Sequence, residues 1–303
     1  MTSAPVIVVV GGANLDIAGI PVGGYIARDS NVGHVRTSPG GVGRNIAENL
    51  ARLGADVRLV SAFGDDVDSA QLRSACEALG MDCRYSVHAQ DTPCSRYLAV
   101  LDAEGDLAAA VNDMWALAAL TPDRIDPAAC AGAAAVVLDT NLSPETIARV
   151  SELAGDTPLV LDPVSVVKAE HARGILGRLT VLKANRMEAE ALAGVTGAEH
   201  AARHLVEAGV RWVFVTMGKD GTWCASADGA FAVPAIPVNV RNATGAGDAF
   251  TAGVAWGLAR GLSLRDTASM AATLSAIALE SEDTVNTRLS AEVLAERMEV
   301  ACR

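Results

Sequence analysis

Short apolar runs alternate with amphipathic stretches along most of the chain. Val6–Val10 is an unbroken β-branched run, as expected of a strand buried on both faces. Residues 57–62, 134–139, 159–162, 181–183 and 213–216 repeat that signature. Between the first two runs, Val42, Ile46, Leu50 and Leu53 recur at helical spacing and Gly54 supplies a stop. Arg44, Glu48 and Arg52 lie off that stripe, on the expected polar face. Asp65 and Asp66 can open a helix reaching about Leu79. Ser143-Pro144 opens another, with the serine as cap and the proline in the first turn, and 198–208 is amphipathic. Alternation of this kind predicts an α/β fold, a mostly parallel sheet with helices on both faces. Ligands in such sheets bind at the C-terminal strand ends.

Two intervals break the rhythm. Residues 96–100 and 107–111 flank Asp102-Ala103-Glu104-Gly105-Asp106, a hairpin signal. The stretch from Pro21 to Pro39 is glycine-rich and irregular, with few core candidates. Segments 16–39 and 94–113 are therefore read together as a small β lid on a single domain spanning 1–303. Near the far end, an apolar strand over 231–240 approaches a glycine-rich turn and an apolar helix over 249–258 leaves it.

Half of the 303 residues are hydrophobic, ample for one large core, and the formal net charge is -12. Such a chain repels a phosphate backbone, which excludes nucleic-acid polymers as expected partners, although one local pocket can still take a single nucleotide. The six cysteines, Cys76, Cys83, Cys94, Cys130, Cys224 and Cys302, include no C-x-x-C pair and read as free thiols in a reducing cytosol. No basic residue precedes the first apolar run, so it reads as a strand and not as a signal peptide. No apolar run is long enough for a membrane span, and a cytoplasmic location without a membrane partner is expected.

The chemistry concentrates in Asn242-Ala243-Thr244-Gly245-Ala246-Gly247-Asp248. Glycines at a strand-to-helix junction bare their N–H groups, and the first helical turn adds unpaired donors and the positive end of the dipole. Together they suit a phosphoryl group in transfer. An aspartate beside an anion pocket needs a reason. Asp248 is either a helix cap or the carboxylate that aligns an acceptor hydroxyl and takes its proton. No G-x-x-x-x-G-K-[ST] occurs, and no G-x-G-x-x-G follows the first strand, which counts against a dinucleotide-dependent oxidoreductase. A second glycine-rich stretch, Ser38-Pro39-Gly40-Gly41-Val42-Gly43-Arg44-Asn45, also opens a helix, and Asn14 and Asp16 follow the first strand as an amide–carboxylate pair suited to sugar hydroxyls.

At these residues the chain resembles the ribokinase-like (PfkB) family of carbohydrate and nucleoside kinases. Residues 40–54 resemble the family's N-terminal signature and Thr244 to Asp248 its C-terminal one. Asn185-Arg186-Met187-Glu188 resembles its N-x-x-E motif, and Thr216-Met217-Gly218-Lys219-Asp220-Gly221 a T-x-G-x-x-G stretch beside the nucleotide. The resemblance implies a three-layer αβα sandwich with a β lid. It implies Asp248 as base, with Gly245, Ala246 and Gly247 as anion hole. Lys183, Asn185, Thr216, Gly218 and Gly221 would hold ATP, and Glu188 with Asn185 would organise Mg2+, chiefly through water. Asn14, Asp16, Gly40, Gly41 and Asn45 would hold a ribose. Within the family the chain is most similar to the members that act on pseudouridine. There Ser30 and Asn112 are the expected readers of the base, and a nucleoside and ATP the small-molecule partners. Asn242 stands where many members carry an aspartate of a monovalent-cation site. It offers a carbonyl oxygen without charge, which weakens the expectation of K+. The exposed edges of the lid are the expected route to a homodimer.

Overall fold

The computed structural model describes residues 4–102 and 104–301; Ala103 and Cys302 lie outside them. In chain order the elements are β1 (Val6–Val10), β2 (Asn14–Pro21), β3 (Gly33–Gly40), α1 (Val42–Arg52), β4 (Asp56–Val60), β5 (Ala62–Phe63), α2 (Val67–Ala78), β6 (Val87–His88), β7 (Arg96–Leu101) and β8 (Leu107–Asp113). There follow β9 (Ala135–Asp139), α3 (Pro144–Ala154), β10 (Leu159–Asp162), α4 (Val166–Ala169), β11 (Val181–Asn185), α5 (Arg186–Ala193), α6 (Ala198–Glu207) and β12 (Trp212–Thr216). The chain then runs through β13 (Thr222–Ser226), β14 (Gly229–Val233), α7 (Ala246–Ala259), α8 (Leu264–Leu279) and α9 (Ala291–Ala301).

The central sheet has the order β14-β13-β12-β11-β10-β9-β1-β4. Its strands from β12 to β4 are parallel, and β13 and β14 extend it as an antiparallel edge. Alternate residues of each strand feed separate cores. Ile7 and Val9 pack with Ile46, Leu50, Phe250 and Leu274 on one face, whereas Val8 and Val10 pack with Ile147, Ala189 and Leu205 on the other. This is a three-layer sandwich with α1, α7 and α8 above the sheet and α3, α5 and α6 below it. From β1 the chain turns first to β4 on one side and later to β9 on the other. The order therefore reverses between β1 and β9, and ligands of open α/β sheets sit at such a point.

A second sheet, β3-β2-β7-β8, combines the two segments read as a lid. Between Pro21 and Pro39 the expectation of irregular chain is corrected. Eight of its 19 residues belong to β2 and β3, which pair antiparallel from Asn14–Gly40 to Pro21–Gly33. The apolar pattern is missing because one face of these strands looks into a cavity instead of a core. Two further corrections concern the far end. The strand expected over 231–240 stops at Val233, because Pro234 and Pro237 cannot donate to a ladder. The helix begins at Ala246, three residues earlier than its apolar pattern indicates. Helix α7 is buried almost all round, from Ala249 to Gly257, and it lies close against α8. A Cβ on Gly253 would stand 2.6 Å from the Ala271 Cα, so only glycine permits that approach. Finally, Arg44 and Glu48 are not on a solvated face: they are 4% and 6% exposed, beneath the small sheet.

Candidate active site

Asp248 lies on the first turn of α7, which is capped by Gly245 in the left-handed conformation at φ 85°. A side chain at 245 would be strained and would meet the Thr284 carbonyl oxygen, so the turn is left as bare amides at a helix N-terminus. The Asp248 Oδ2 accepts a hydrogen bond from Asn45 Nδ2 at 2.7 Å, and Oδ1 has no partner among the described residues. Burial is the main reason that its carboxyl is pushed up to about 7. The nearby Asp162 adds to the rise, while Asn45 and Lys183 oppose it. That places the group between its two protonation states near neutral pH, where proton exchange with a hydroxyl is easiest.

Around it the structure assembles most of the residues expected from the sequence. Asn14 Nδ2 donates to Asp16 Oδ1 at 2.7 Å, and Gly40 ends β3 directly against the Asp16 carboxyl. Gly41 caps α1 beside the Gly12 carbonyl. Lys183 points from β11 to the anion turn: its Nζ would be 2.9 Å from a Cβ on Gly247. Burial alone would lower the lysine, but the salt bridge to Asp162 at 3.0 Å together with the charges of Glu188 and Asp248 outweighs it and leaves the group raised. Asn185 and Glu188 form a capping box at the start of α5. Asn185 Oδ1 accepts from the Glu188 N–H at 3.0 Å, and Glu188 Oε2 accepts from the Asn185 N–H at 2.8 Å. Thr216, Gly218 and Gly221 line a cavity of about 240 Å³ with Pro234, Ile236 and Phe250, a mostly apolar slot that opens on Ala246 and Gly247.

A larger cavity of about 690 Å³ lies under the small sheet and is lined by Asp16, Ser38, Tyr97, Arg44 and Thr244. Register puts Ser38, Asp16, Tyr97 and Asn112 in one row across that sheet. Asn112 thus shares the cavity-side face, two strands or about 10 Å from Asp16. Ser30 is not brought to the site. It is exposed in the β2–β3 turn, where its N–H donates to Asp29 Oδ1.

Two carboxylates at the centre were missed in the sequence reading. Asp139 is buried at the end of β9 and accepts from the Gly12, Gly43 and Asn141 N–H groups at 2.7, 2.9 and 2.9 Å, pinning β1 and α1 together at the switch point. Burial raises its carboxyl despite those donors. Asp162 ends β10 and takes Lys183 and the Thr251 hydroxyl, at 2.7 Å, on one oxygen. The signal was present: both apolar runs end in Val-Leu-Asp, at the strand ends where ligands bind.

An anion turn, a carboxylate beside it, one cavity opening on Ala246 and Gly247 and another reaching Thr244 are the parts that transfer of a phosphoryl group to a hydroxyl requires. The chain belongs to the pfkB family of carbohydrate kinases, whose sequence pattern matches residues 5–291. It is 35% identical to pseudouridine kinase of Escherichia coli over 94% of this chain and 93% of that one. It is 31% identical to guanosine-inosine kinase of Exiguobacterium acetylicum, over 82% and 86% of the two chains. Arabidopsis thaliana ribokinase complexed with ribose and ATP superposes with a TM-score of 0.85 at 21% identity, over 98% of this chain and 99% of that one, and so shares the fold. The protein is accordingly a sugar or nucleoside kinase of this family. Among the described residues no helix is long and apolar enough to cross a membrane.

Proposed function

We propose that the protein is a single-domain, ATP-dependent kinase that transfers the γ-phosphoryl group to the 5′-hydroxyl of pseudouridine. The observation that carries this reading is Asp248, a carboxylate held by Asn45 through one oxygen, with no partner on the other among the described residues, next to a turn of bare amides and a buried ammonium. In the proposed step Asp248 Oδ1 aligns the acceptor hydroxyl and takes its proton as the O–P bond forms. The bond from phosphorus to the β,γ-bridging oxygen breaks, and that oxygen leaves with ADP. The N–H groups of Gly245, Ala246 and Gly247 and the Lys183 ammonium stabilise the charge that develops on the migrating group.

ATP would lie with its adenine in the slot of Thr216, Gly218 and Gly221 and its phosphates toward Lys183. The donor set fits magnesium. Glu188 keeps one carboxylate oxygen without a partner among the described residues, while Asn185 has already committed its oxygen to the helix cap. Among the described residues no group of three or more His, Cys, Asp or Glu could cage an ion. Magnesium keeps much of its water, so Glu188 and Asn185 would act on it chiefly through that water. When bound, Mg2+ supplies charge neutralisation to those phosphates. Asn14, Asp16, Gly40, Gly41 and Asn45 would hold the ribose, and the row ending at Asn112 extends in the direction of the base. The similarity to pseudouridine kinase over nearly the whole chain supports that nucleoside as acceptor.

The same reading includes a homodimer. Its route would be the exposed edges of the small sheet, β3 and β8, whose Val35 and Val111 are 76% and 62% exposed. The test of substrate is a coupled ADP-release assay over pseudouridine, uridine, inosine, guanosine and ribose. The highest kcat/KM is expected for pseudouridine. If inosine or ribose exceeds it, the acceptor assignment falls while the kinase assignment stands.

A further inference from the structure

We propose that Arg44 is a positioning residue for phosphoryl transfer, locking the Asn45 amide so that its Nδ2 donates to Asp248; this rests on the reading of Asp248 as the base. The argument is one of donors and acceptors. Arg44 Nη2 contacts the side-chain oxygen of Asn45. A guanidinium carries only donors, so the atom facing it must be Oδ1, and Nδ2 must point the other way, 2.7 Å from Asp248 Oδ2. Turned over, the amide would set its oxygen against a carboxylate. Arg44 excludes that orientation, and a donor on the carboxylate favours its ionised form.

Arg44 is itself fixed. Its Nε donates to the Gly40 carbonyl at 3.1 Å, its backbone N–H to the Gly12 carbonyl at 3.0 Å, and its Nη1 to Glu48 Oε2 at 2.5 Å. Glu48 Oε1 in turn accepts from Arg52 Nε at 2.9 Å and Nη2 at 2.7 Å, and Arg52 Nη1 reaches the Thr287 carbonyl at 2.8 Å. The apolar stripe of α1 already packs on the sheet, so helix packing gives no reason to bury this ion pair. An apolar pair of similar volume would avoid its desolvation cost. What the pair achieves is a line of four side chains from the protein surface to the reacting carboxyl.

Other charges also act on Asp248. Asp162 of β10 and Asp139 of β9 face it as like charges, and Lys183 of β11, with Glu188 of α5 beside it, faces it as the opposing one. Asp16 of β2 lies across the cavity, within the field of Arg44. All of these remain when Arg44 is changed, but the loss of its charge also raises Asp16; Asn45→Ala, which keeps that charge, separates the share passing through Asn45 from the field on Asp16.

The experiment is kcat/KM for the acceptor, measured with saturating Mg·ATP over about pH 5.5 to 9.5, for wild type, Arg44→Met, Arg44→Lys, Asn45→Ala, Arg44→Met/Asn45→Ala and Arg44→Met/Glu48→Met. In Arg44→Met the acidic limb is expected to move up by about one pH unit, with turnover recovering at high pH. Arg44→Lys, which keeps the charge but not the fork, should move it less. Arg44→Met/Asn45→Ala should match Asn45→Ala, because one residue acts through the other. Arg44→Met/Glu48→Met removes the buried unpaired carboxylate and carries the test if Arg44→Met fails to fold. An unmoved limb in a folded Arg44 variant, or losses that multiply in the double variant with Asn45, overturns the proposal. Asp248→Asn is the control. If it turns over normally, the base assignment itself is wrong; if it is inactive while the limb stays put, only the role of Arg44 is.

Discussion

Replacing Asp248 by Asn should make the protein more stable while it destroys turnover. The carboxyl has an ordinary value of 3.8, which stands for the unfolded chain, and about 7 in the fold, mainly because burial penalises its charge. The folded state therefore binds more protons than the unfolded state between about pH 4 and 7, and stability falls as pH rises through that window. Above it the full cost is in place: about three pH units at 1.36 kcal/mol each, or ~4 kcal/mol as an upper bound. Asparagine keeps the shape and can accept from Asn45 through its own oxygen, yet it carries no charge. For 303 residues the unfolding entropy is about 0.6 kcal/mol per degree, so ~4 kcal/mol corresponds to a Tm rise of about 6 °C.

Scanning calorimetry without ligands, at pH 8 and pH 5, checks this. At pH 5 the folded carboxyl is already protonated, and only about a unit separates the solution from the unfolded value. The advantage should shrink to about 1.5 kcal/mol. Asp16, Asp139 and Glu188 are also raised but are present in both proteins, so they cancel to first order. A Tm at pH 8 equal to or below wild type, or a gain that is the same at both pH values, refutes the picture of a carboxylate held at a cost for function. The variant should lose about 10²–10⁴-fold in kcat with acceptor binding retained.

Gly245→Ala should lower kcat at least about 10²-fold, since it strains a φ of 85° and pushes the amide turn off the Thr284 carbonyl; single-turnover phosphoryl transfer measures it. Gly253→Val should cost about 1–3 kcal/mol or more by forcing α7 from α8, visible as a lower urea midpoint, with no change in the pH profile of the fraction that remains folded. Exchanging K+ for a bulky organic cation should leave turnover unchanged. The Asn242 amide already accepts from the Thr244 N–H at 2.9 Å and donates to the Glu282 carbonyl at 3.1 Å, so a neutral side chain joins the two strands of backbone there. A clear K+ activation would show that this bridge opens for an ion.

What could be read in the sequence divides along one physical line. Buried strands and the helix over Val42, Ile46 and Leu50 were legible because a core imposes a period on the chain. The glycine-rich turns were legible because few residues tolerate their backbone. Segments whose neighbours are a cavity escaped. β2 and β3 alternate between an apolar outer face and a row of Asp16, Arg36 and Ser38 that lines a cavity, where Arg36 also pairs with Asp283. The same cause hid Arg44 and Glu48. By periodicity they belong on a polar face, yet that face is roofed by a second sheet more than 40 residues away in sequence at β7. Asp139 and Asp162 were overlooked for the opposite reason: each ends an apolar run and looks like the residue that terminates it. Their meaning comes from neighbours contributed by β1, α1, β11 and α7, which no local pattern contains. Polar residues that the fold buries although the local pattern places them on a surface or at the end of a run are therefore the ones to examine first for a part in the chemistry. Arg44 is the case in this chain where that rule makes a claim that a pH profile can defeat.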